Sequence, residues 1–400
     1  MRVLQINAVY EFSSTGRTTK EMHEALLQRG IASYVFCSDK ADIAHGIYQI
    51  GNKFDHLIHG LLSRVFGLQG YFSYTPTKWM IKRLKGINPD VVVLRNLHAN
   101  YVDVNKLLCY LGDNHIKTVV VLHDCWFFTG HCCYYYEDKC YKWEKECHNC
   151  PILHKYNKSL FFDKSRKIFT DKANSFGKIG DLTVVGVSKW VANEAKRSPI
   201  FKNAKILHKY NWIDLDIFKP HTSNELREKN GIANNSFVAI SVSSVWEKKK
   251  GLYKILSIAN KLTDVVFVLV GRLEDVSLPN NVISVGPVFS QIELAKYYSM
   301  ADVYLNFSIQ ETFGKVSAEA LSCGTPVIAH NSTANPELVG NGCGLVIDTE
   351  CEEQIEEAIL RIREWDKSTV QQTCRCFALD NFSKDTIIGS YINEIFKQTE

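Results

Sequence analysis

Short runs of β-branched and aliphatic residues, each followed by a loop and then by apolar residues at helical spacing, recur along this chain. No other feature restricts the fold as tightly. "MRVLQINAV" leads through "YEFSSTGRTT" into Met22, Leu26 and Leu27; "DVVVLRNLH", "KTVVVLHD" and "LTVVGVS" follow, the last running into "KWVANEAK". After "YNWIDLDIFKP" the alternation restarts with "SFVAISVS", "VVFVLVG", "NVISVG", "ADVYLNFS" and "TPVIAH". Strand–helix alternation of this kind buries both faces of a parallel sheet, so the chain is read as α/β, with two doubly wound Rossmann-like domains. The expected boundaries are 1–200 for the first domain, with a cysteine-rich insertion at 123–151, and 205–375 for the second. A helix over 376–400 is expected to pack back on the first domain. No repeat of 20 to 50 residues interrupts the pattern.

At 400 residues the chain exceeds one ordinary core, and 46% hydrophobic with 22% charged residues is the balance of a globular protein. Apolar runs such as Val265 to Val270 fall far short of the roughly 20 residues of a membrane-spanning helix, and the N-terminus lacks a signal peptide's architecture. A cytoplasmic location is expected. Residues 1–200 hold 27 basic and 18 acidic side chains, against 20 and 25 in the rest, so the first half is suited to something anionic: nucleic acid, a lipid surface or a lipid pyrophosphate. Neither domain has GxGxxG after its first strand, which argues against a nicotinamide or flavin enzyme. Ligands of doubly wound sheets bind at the carboxyl ends of the strands, which places the expected site between the domains.

The sharpest chemical signal is "NFSIQETFGKVSAEALSCGTPVIA". Glu311 sits in a loop after a strand, and Glu319 follows inside a helix expected to begin near Phe313 or Gly314. The free N–H groups of such a helix start, with Lys315, suit a diphosphate, and Gly314 permits close approach. Carboxylates accept hydrogen bonds from hydroxyls, so one Glu is available for each end of a sugar nucleotide.

Here the sequence resembles the retaining glycosyltransferases of family 4, with the GT-B fold, whose hallmark is Glu, seven residues, Glu. The resemblance implies that Glu311 contacts the donor sugar and Glu319 the ribose. "TANPELVG" and "YNWIDLDIFKP" resemble further family segments. In "SVSSVWEKKKGL", Lys250 matches the Lys that grips the diphosphate, but Ser244 or Val245 stands where the family has Arg. Lys248 or Lys249 is the expected substitute. In the first domain, Gly16 is the expected close-approach position beside the donor phosphate. His123, ending the strand "VLHD", is the catalytic candidate near the anomeric carbon, with Asp124 orienting its neighbours.

"HDCWFFTGHCCYYYEDKCYKWEKECHNCP" resembles a subgroup that builds bacterial surface polysaccharides such as colanic acid and O-antigens. Thirteen cysteines in a reducing compartment point to thiols or metal ligands. Cys132, Cys140, Cys147 and Cys150 have the makings of a four-thiolate zinc site, which would be structural because it has no open position; disulfides or free thiols are the alternative. No cofactor is expected for catalysis. Residues 53–86 carry six basic side chains and one acidic one, and Phe54, Leu57, Ile58, Leu61, Leu62, Val65 and Phe66 recur at helical spacing. That combination fits either a membrane surface or an ordinary core helix.

The expected function is therefore transfer of a sugar, with retention, from a UDP- or GDP-linked donor to a lipid-linked glycan at the inner face of the plasma membrane. The rivals are a sugar-nucleotide epimerase of the same fold and a zinc-braced nucleic-acid-binding protein; the latter leaves Glu311 and Glu319 unexplained, and no nucleic-acid partner is expected.

Overall fold

The computed structural model describes residues 1–397 and divides into two compact units, Met1–Lys209 with the stretch from Ile388 onward, and Tyr210–Ile387.

The first unit is built on a seven-stranded parallel sheet: β1 (Arg2–Ile6), β2 (Ala32–Cys37), β3 (Ile47–Gln49), β4 (Val91–Leu94), β5 (Lys117–Leu122), β6 (Leu182–Gly186) and β7 (Lys205–His208). Its order is β3-β2-β1-β4-β5-β6-β7, so the direction of winding reverses between β1 and β4. The central strands are nearly continuous apolar runs, and Val91–Leu94 and Val119–Leu122 are almost wholly inaccessible because both sheet faces are covered. The second unit begins after residue 205 because β7 completes this sheet, pairing Thr183 with Lys205 and Gly186 with His208.

The second unit holds a six-stranded parallel sheet: β8 (Phe237–Val245), β9 (Val265–Arg272), β10 (Val282–Gly286), β11 (Val303–Asn306), β12 (Val327–His330) and β13 (Gly344–Ile347). The order β10-β9-β8-β11-β12-β13 reverses between β8 and β11. Loops leaving a reversing pair diverge, which opens a crevice at the strands' carboxyl ends.

The first unit's helices include α1 (Ser13–Gln28), α2 (Lys53–Phe66) and α3 (Tyr74–Ile87). α2 is firmly delimited. Asn52 accepts from the Phe54 and Asp55 N–H groups while Asp55 reaches back to the Asn52 N–H, and Gly67 closes the helix at φ 68°. Its orientation is unusual: the fully buried residues are His59 and Ser63, whereas Phe54, Leu57 and Leu61 are 68%, 69% and 59% exposed. The buried polar pair is satisfied locally, His59 Nδ1 to Ser73 Oγ at 2.6 Å and Ser63 Oγ to the Leu68 carbonyl at 3.3 Å.

Candidate functional site

In the second unit, the chain leaving β8 turns through Lys248–Lys250 into the helix Leu252–Lys261, and the turn closes at Gly251 with φ 80°. A Cβ there would meet Phe307 Cβ at 2.4 Å, so only glycine allows the turn to lie against the chain leaving β11. This proximity joins Lys250 to Glu311: Nζ and Oε1 are 2.5 Å apart, and Lys250 also reaches Ser308 Oγ at 3.4 Å. The Glu311 loop is anchored by buried amides. Asn306 Nδ2 donates to Ser317 Oγ at 2.8 Å and Asn335 Oδ1 at 3.1 Å, and Asn335 Nδ2 donates to the Ser308 carbonyl at 2.9 Å. The Glu311 N–H bonds Thr333 Oγ1 at 3.0 Å, so the "TANPELVG" segment holds the Glu311 backbone in place.

The helix containing Glu319 is Lys315–Ser322, led by Gly314 at φ 84° with no side chain capping its first turn. An uncapped turn beginning in a left-handed glycine offers N–H groups to an anion. Lys315 is its first residue and half-buried. Glu319 is only 5% exposed, and the Tyr298 hydroxyl donates to its Oε2 at 3.2 Å. Burial first, and then the Glu319 charge, push the Tyr298 phenol well above its usual range, so it remains a donor. Phe313 is buried, its ring 5.8 Å from those of Tyr210 and Phe382, and it therefore supports the loop by packing.

Of the lysines expected to replace the missing Arg, Lys249 pairs with Glu247 at 2.8 Å. A cation that the sequence alone did not single out is Arg272: it ends β9, is exposed, and lies directly across from Val245 in the β8–β9 register. Only strand pairing reveals this, since 27 residues separate the two positions.

In the first unit, Gly16 lies in the first turn of α1, where a Cβ would meet the Glu11 N at 3.1 Å and Val9 Cγ2 at 3.2 Å. It lets the helix lie against the Val9–Glu11 turn. Glu11 itself has φ 76°, and hydrogen bonds from Lys20 and then Lys40 hold its carboxyl below the usual range. His123 follows β5, and its Nε2 lies 3.0 Å from Arg95 Nη1. Guanidinium only donates, so Nε2 accepts and the ring proton is on Nδ1. Arg95 is 1% exposed and also donates through Nε to Gln5 Oε1 at 3.2 Å. Asp124 turns to His98, with Oδ2 2.8 Å from Nε2. Burial opposes the charge of Asp124, but His98 outweighs it and leaves the carboxyl below its usual range.

Among the cysteines expected as zinc ligands, Cys132 is buried and Cys140, Cys147 and Cys150 are partly so; Cys147 Sγ accepts from the Gly130 N–H at 3.2 Å. Burial is the main cause raising the Cys147 and Cys150 thiols to about 12 and about 11. Among the described residues, the grouping of three ligand atoms within 4.8 Å of one another is not drawn from these four but consists of His98, Asp124 and Cys133.

Residues 222–372, within the second unit, match the family model of the glycosyl transferases group 1. A putative colanic acid biosynthesis glycosyl transferase, WcaC, of Escherichia coli K12 is 22% identical over 96% of this chain and 95% of its own. An uncharacterized 41.2 kDa protein in the cps region of Klebsiella pneumoniae is 27% identical over 80% and 81%. Among solved structures, sucrose-phosphate synthase of Thermosynechococcus elongatus superposes with TM-score 0.70 at 15% identity over 99% of both chains. Anabaena Alr3699/HepE, in complex with UDP and glucose, gives 0.67 at 16%, again over 99% of both. The fold is GT-B, and these likenesses favour neither an epimerase nor a nucleic-acid-binding protein.

Proposed function

We propose that this GT-B glycosyltransferase moves a sugar, with retention of anomeric configuration, from a nucleoside diphosphate donor to a lipid-linked glycan of a bacterial surface polysaccharide. The observation that carries the reading is the convergence of Lys250, Glu311 and the uncapped helix Lys315–Ser322 at the β8–β11 reversal. A cation and helix N–H groups compensate a leaving diphosphate, and a fixed carboxylate receives sugar hydroxyls. HepE, whose fold this chain shares, is a UDP and UDP-glucose complex, which supports a nucleotide-linked donor. In a retaining transfer of this kind the acceptor hydroxyl attacks on the face the diphosphate leaves, and a phosphate oxygen takes the proton. No second carboxylate nucleophile is then required, in contrast to retaining glycosidases. His123, whose Nε2 lies 3.0 Å from Arg95 Nη1, is the catalytic candidate of the first unit on this reading.

The acceptor class is supported by the first unit's surface. The apolar side of α2 faces outward, and Leu160, Phe161 and Phe162 are exposed beside it, tied by the Leu160 N–H to the Arg64 carbonyl at 2.7 Å. Lys78, Lys82, Arg83 and Lys85 are exposed on α3. Apolar side chains rimmed by cations suit an anionic bilayer surface, where a lipid-linked acceptor resides. Among the described residues no helix is long and apolar enough to cross a membrane, so the attachment proposed is peripheral.

Thermal stabilisation by UDP, GDP, ADP and their sugar conjugates tests the donor class. Saturation at 100 times Kd contributes about 2.7 kcal/mol. Stabilisation by none of them would remove the donor assignment, and the anomeric configuration of the product, read by NMR, tests retention.

A further inference from the structure

The carboxyl edge of the first sheet gathers a group of side chains to which the proposed function assigns no step, Asp124 turning to His98. His98 lies in the loop after β4, Asp124 two residues past the end of β5, and Cys133 returns beside Asp124 because the Cys125 N–H bonds the Cys133 carbonyl at 2.9 Å. His98 Nε2 is 2.8 Å from Asp124 Oδ2 and 4.0 Å from Cys133 Sγ, and the three atoms all lie within 4.8 Å of one another. A Cys–His–acid relay places the thiol and the carboxylate on opposite ring nitrogens. Here both meet the same nitrogen, the arrangement of donors around a shared cation.

The surrounding contacts fix each donor. The Trp126 N–H holds Asp124 Oδ1 at 2.9 Å, leaving Oδ2 directed at His98. Gln69 donates to the His98 carbonyl, the His98 ring lies against the Trp126 indole at 5.7 Å, and Asn157 Nδ2 donates to Cys133 Sγ at 3.5 Å. Outer partners of this kind are what orient metal ligands. Asp124 and Cys133 are buried, whereas the His98 side chain is 20% exposed, which gives a way in for an ion and a water.

We propose that His98 Nε2, Asp124 Oδ2 and Cys133 Sγ bind one divalent cation of the zinc class, which straps the cysteine-rich segment to the edge of the sheet. Nitrogen, oxygen and sulfur in one set select a borderline ion over magnesium or calcium. Zinc lies about 2.1 Å from nitrogen or oxygen and about 2.3 Å from sulfur, which three donors this close can meet with small movements. Binding releases to solvent the Nε2 proton of a His98 imidazolium facing the Asp124 carboxylate, leaving a neutral imidazole ligand, and the thiol proton of Cys133. Two protons leave as one divalent ion enters, so the net charge beside buried Lys172 is unchanged. That lysine stays bonded to the Trp126 and Thr129 carbonyls, at 2.5 and 3.0 Å.

The test is to strip the full-length protein of metal, reload it with zinc alone, remove the excess by gel filtration and measure the metal retained. About one equivalent should remain, and cobalt in its place should give a thiolate-to-metal charge-transfer band. Cys133→Ser should lose the band and the zinc, His98→Gln should lose the zinc, and the Cys147→Ser, Cys150→Ser double variant should keep both. In unmodified protein, zinc should also protect Cys133 from alkylation, read by peptide mapping, so the result does not depend on a variant folding. No retained zinc, full retention by Cys133→Ser, or loss confined to the double variant would overturn the proposal.

Discussion

Lys250 Nζ and Glu311 Oε1 form a 2.5 Å ion pair between the loops that leave β8 and β11, the two strands flanking the reversal of the second sheet. On the proposed function the two groups serve different parts of the donor, so a diphosphate must draw Lys250 away from Glu311. Lys250→Met should weaken binding of the free nucleoside diphosphate by about 1.5 to 3 kcal/mol, roughly ten- to 150-fold. Glu311→Gln removes the competitor, and should leave that affinity unchanged or raised while turnover with the whole donor falls. Calorimetry with the free nucleotide and steady-state kinetics separate the two, and equal affinity losses would show that the roles are misassigned.

Glu319 offers a different kind of check because its carboxylate is buried against Tyr298. Tyr298→Phe keeps the ring and deletes the donor, which should cost about 1 to 3 kcal/mol in a urea titration. Nucleotide affinity should fall as well if Glu319 must be held for the ribose. Glu319→Gln should weaken donor and free nucleotide alike, in contrast to Glu311→Gln. A Tyr298→Phe protein as stable as the parent would mean that the hydroxyl contributes nothing to holding Glu319.

The strands that were readable from sequence are those buried on both faces, such as Val91–Leu94 and Val265–Arg272, where a continuous apolar run has one interpretation. Ala32–Cys37, Ile47–Gln49, Lys205–His208 and Gly344–Ile347 were not, because all four lie at or next to a sheet edge, are short or carry polar residues, and resemble loops. At the site, Glu311 and Glu319 stood out by spacing and Lys250 by its match to a lysine of the resembled family, whereas Arg272 and Arg95 come into place only through strand register and burial. Gly16 and Phe313 show the opposite limit: a glycine near a turn and an aromatic near a helix start look alike whether they meet a ligand or pack. For α2 the period of the apolar residues was legible but its direction was not, since 3.6-residue spacing is the same for an inward and an outward stripe.

His59, on the buried side of α2, gives a pH prediction. Burial is the main cause lowering its pKa to about 4, and among the described residues its Nε2 has no hydrogen-bond partner. An unfolded histidine titrates near 6.5, so between these values the unfolded chain binds a proton that the folded one does not. The contribution is therefore fully present above about pH 6.5 and is lost as pH falls toward 4, by up to about 1.4 kcal/mol per unit. His59→Gln should show a shallower decline in urea midpoint between pH 7 and 5. An identical decline in both proteins would assign the acid sensitivity to other groups.

The surface of α2 and α3 combines two forces that respond differently to salt, and this makes peripheral membrane attachment decisively testable. Lys82, Arg83 and Lys85 are exposed, and each cation near an anionic leaflet is worth about 1 kcal/mol, a contribution that screening weakens. Changing all three to Glu should abolish most binding to phosphatidylserine-containing vesicles at low salt. Phe54, Leu57 and Leu61 point outward, so their replacement by Ser should leave the melting temperature nearly unchanged, as surface substitutions do. Burial of apolar side chains in the interface is insensitive to screening, and the triple Ser variant should therefore lose the part of vesicle binding that survives high salt. Flotation of both variants across a salt series reads the two contributions separately. If neither variant differs from the parent, and neither loses activity on a lipid-linked acceptor, this face does not dock on a bilayer.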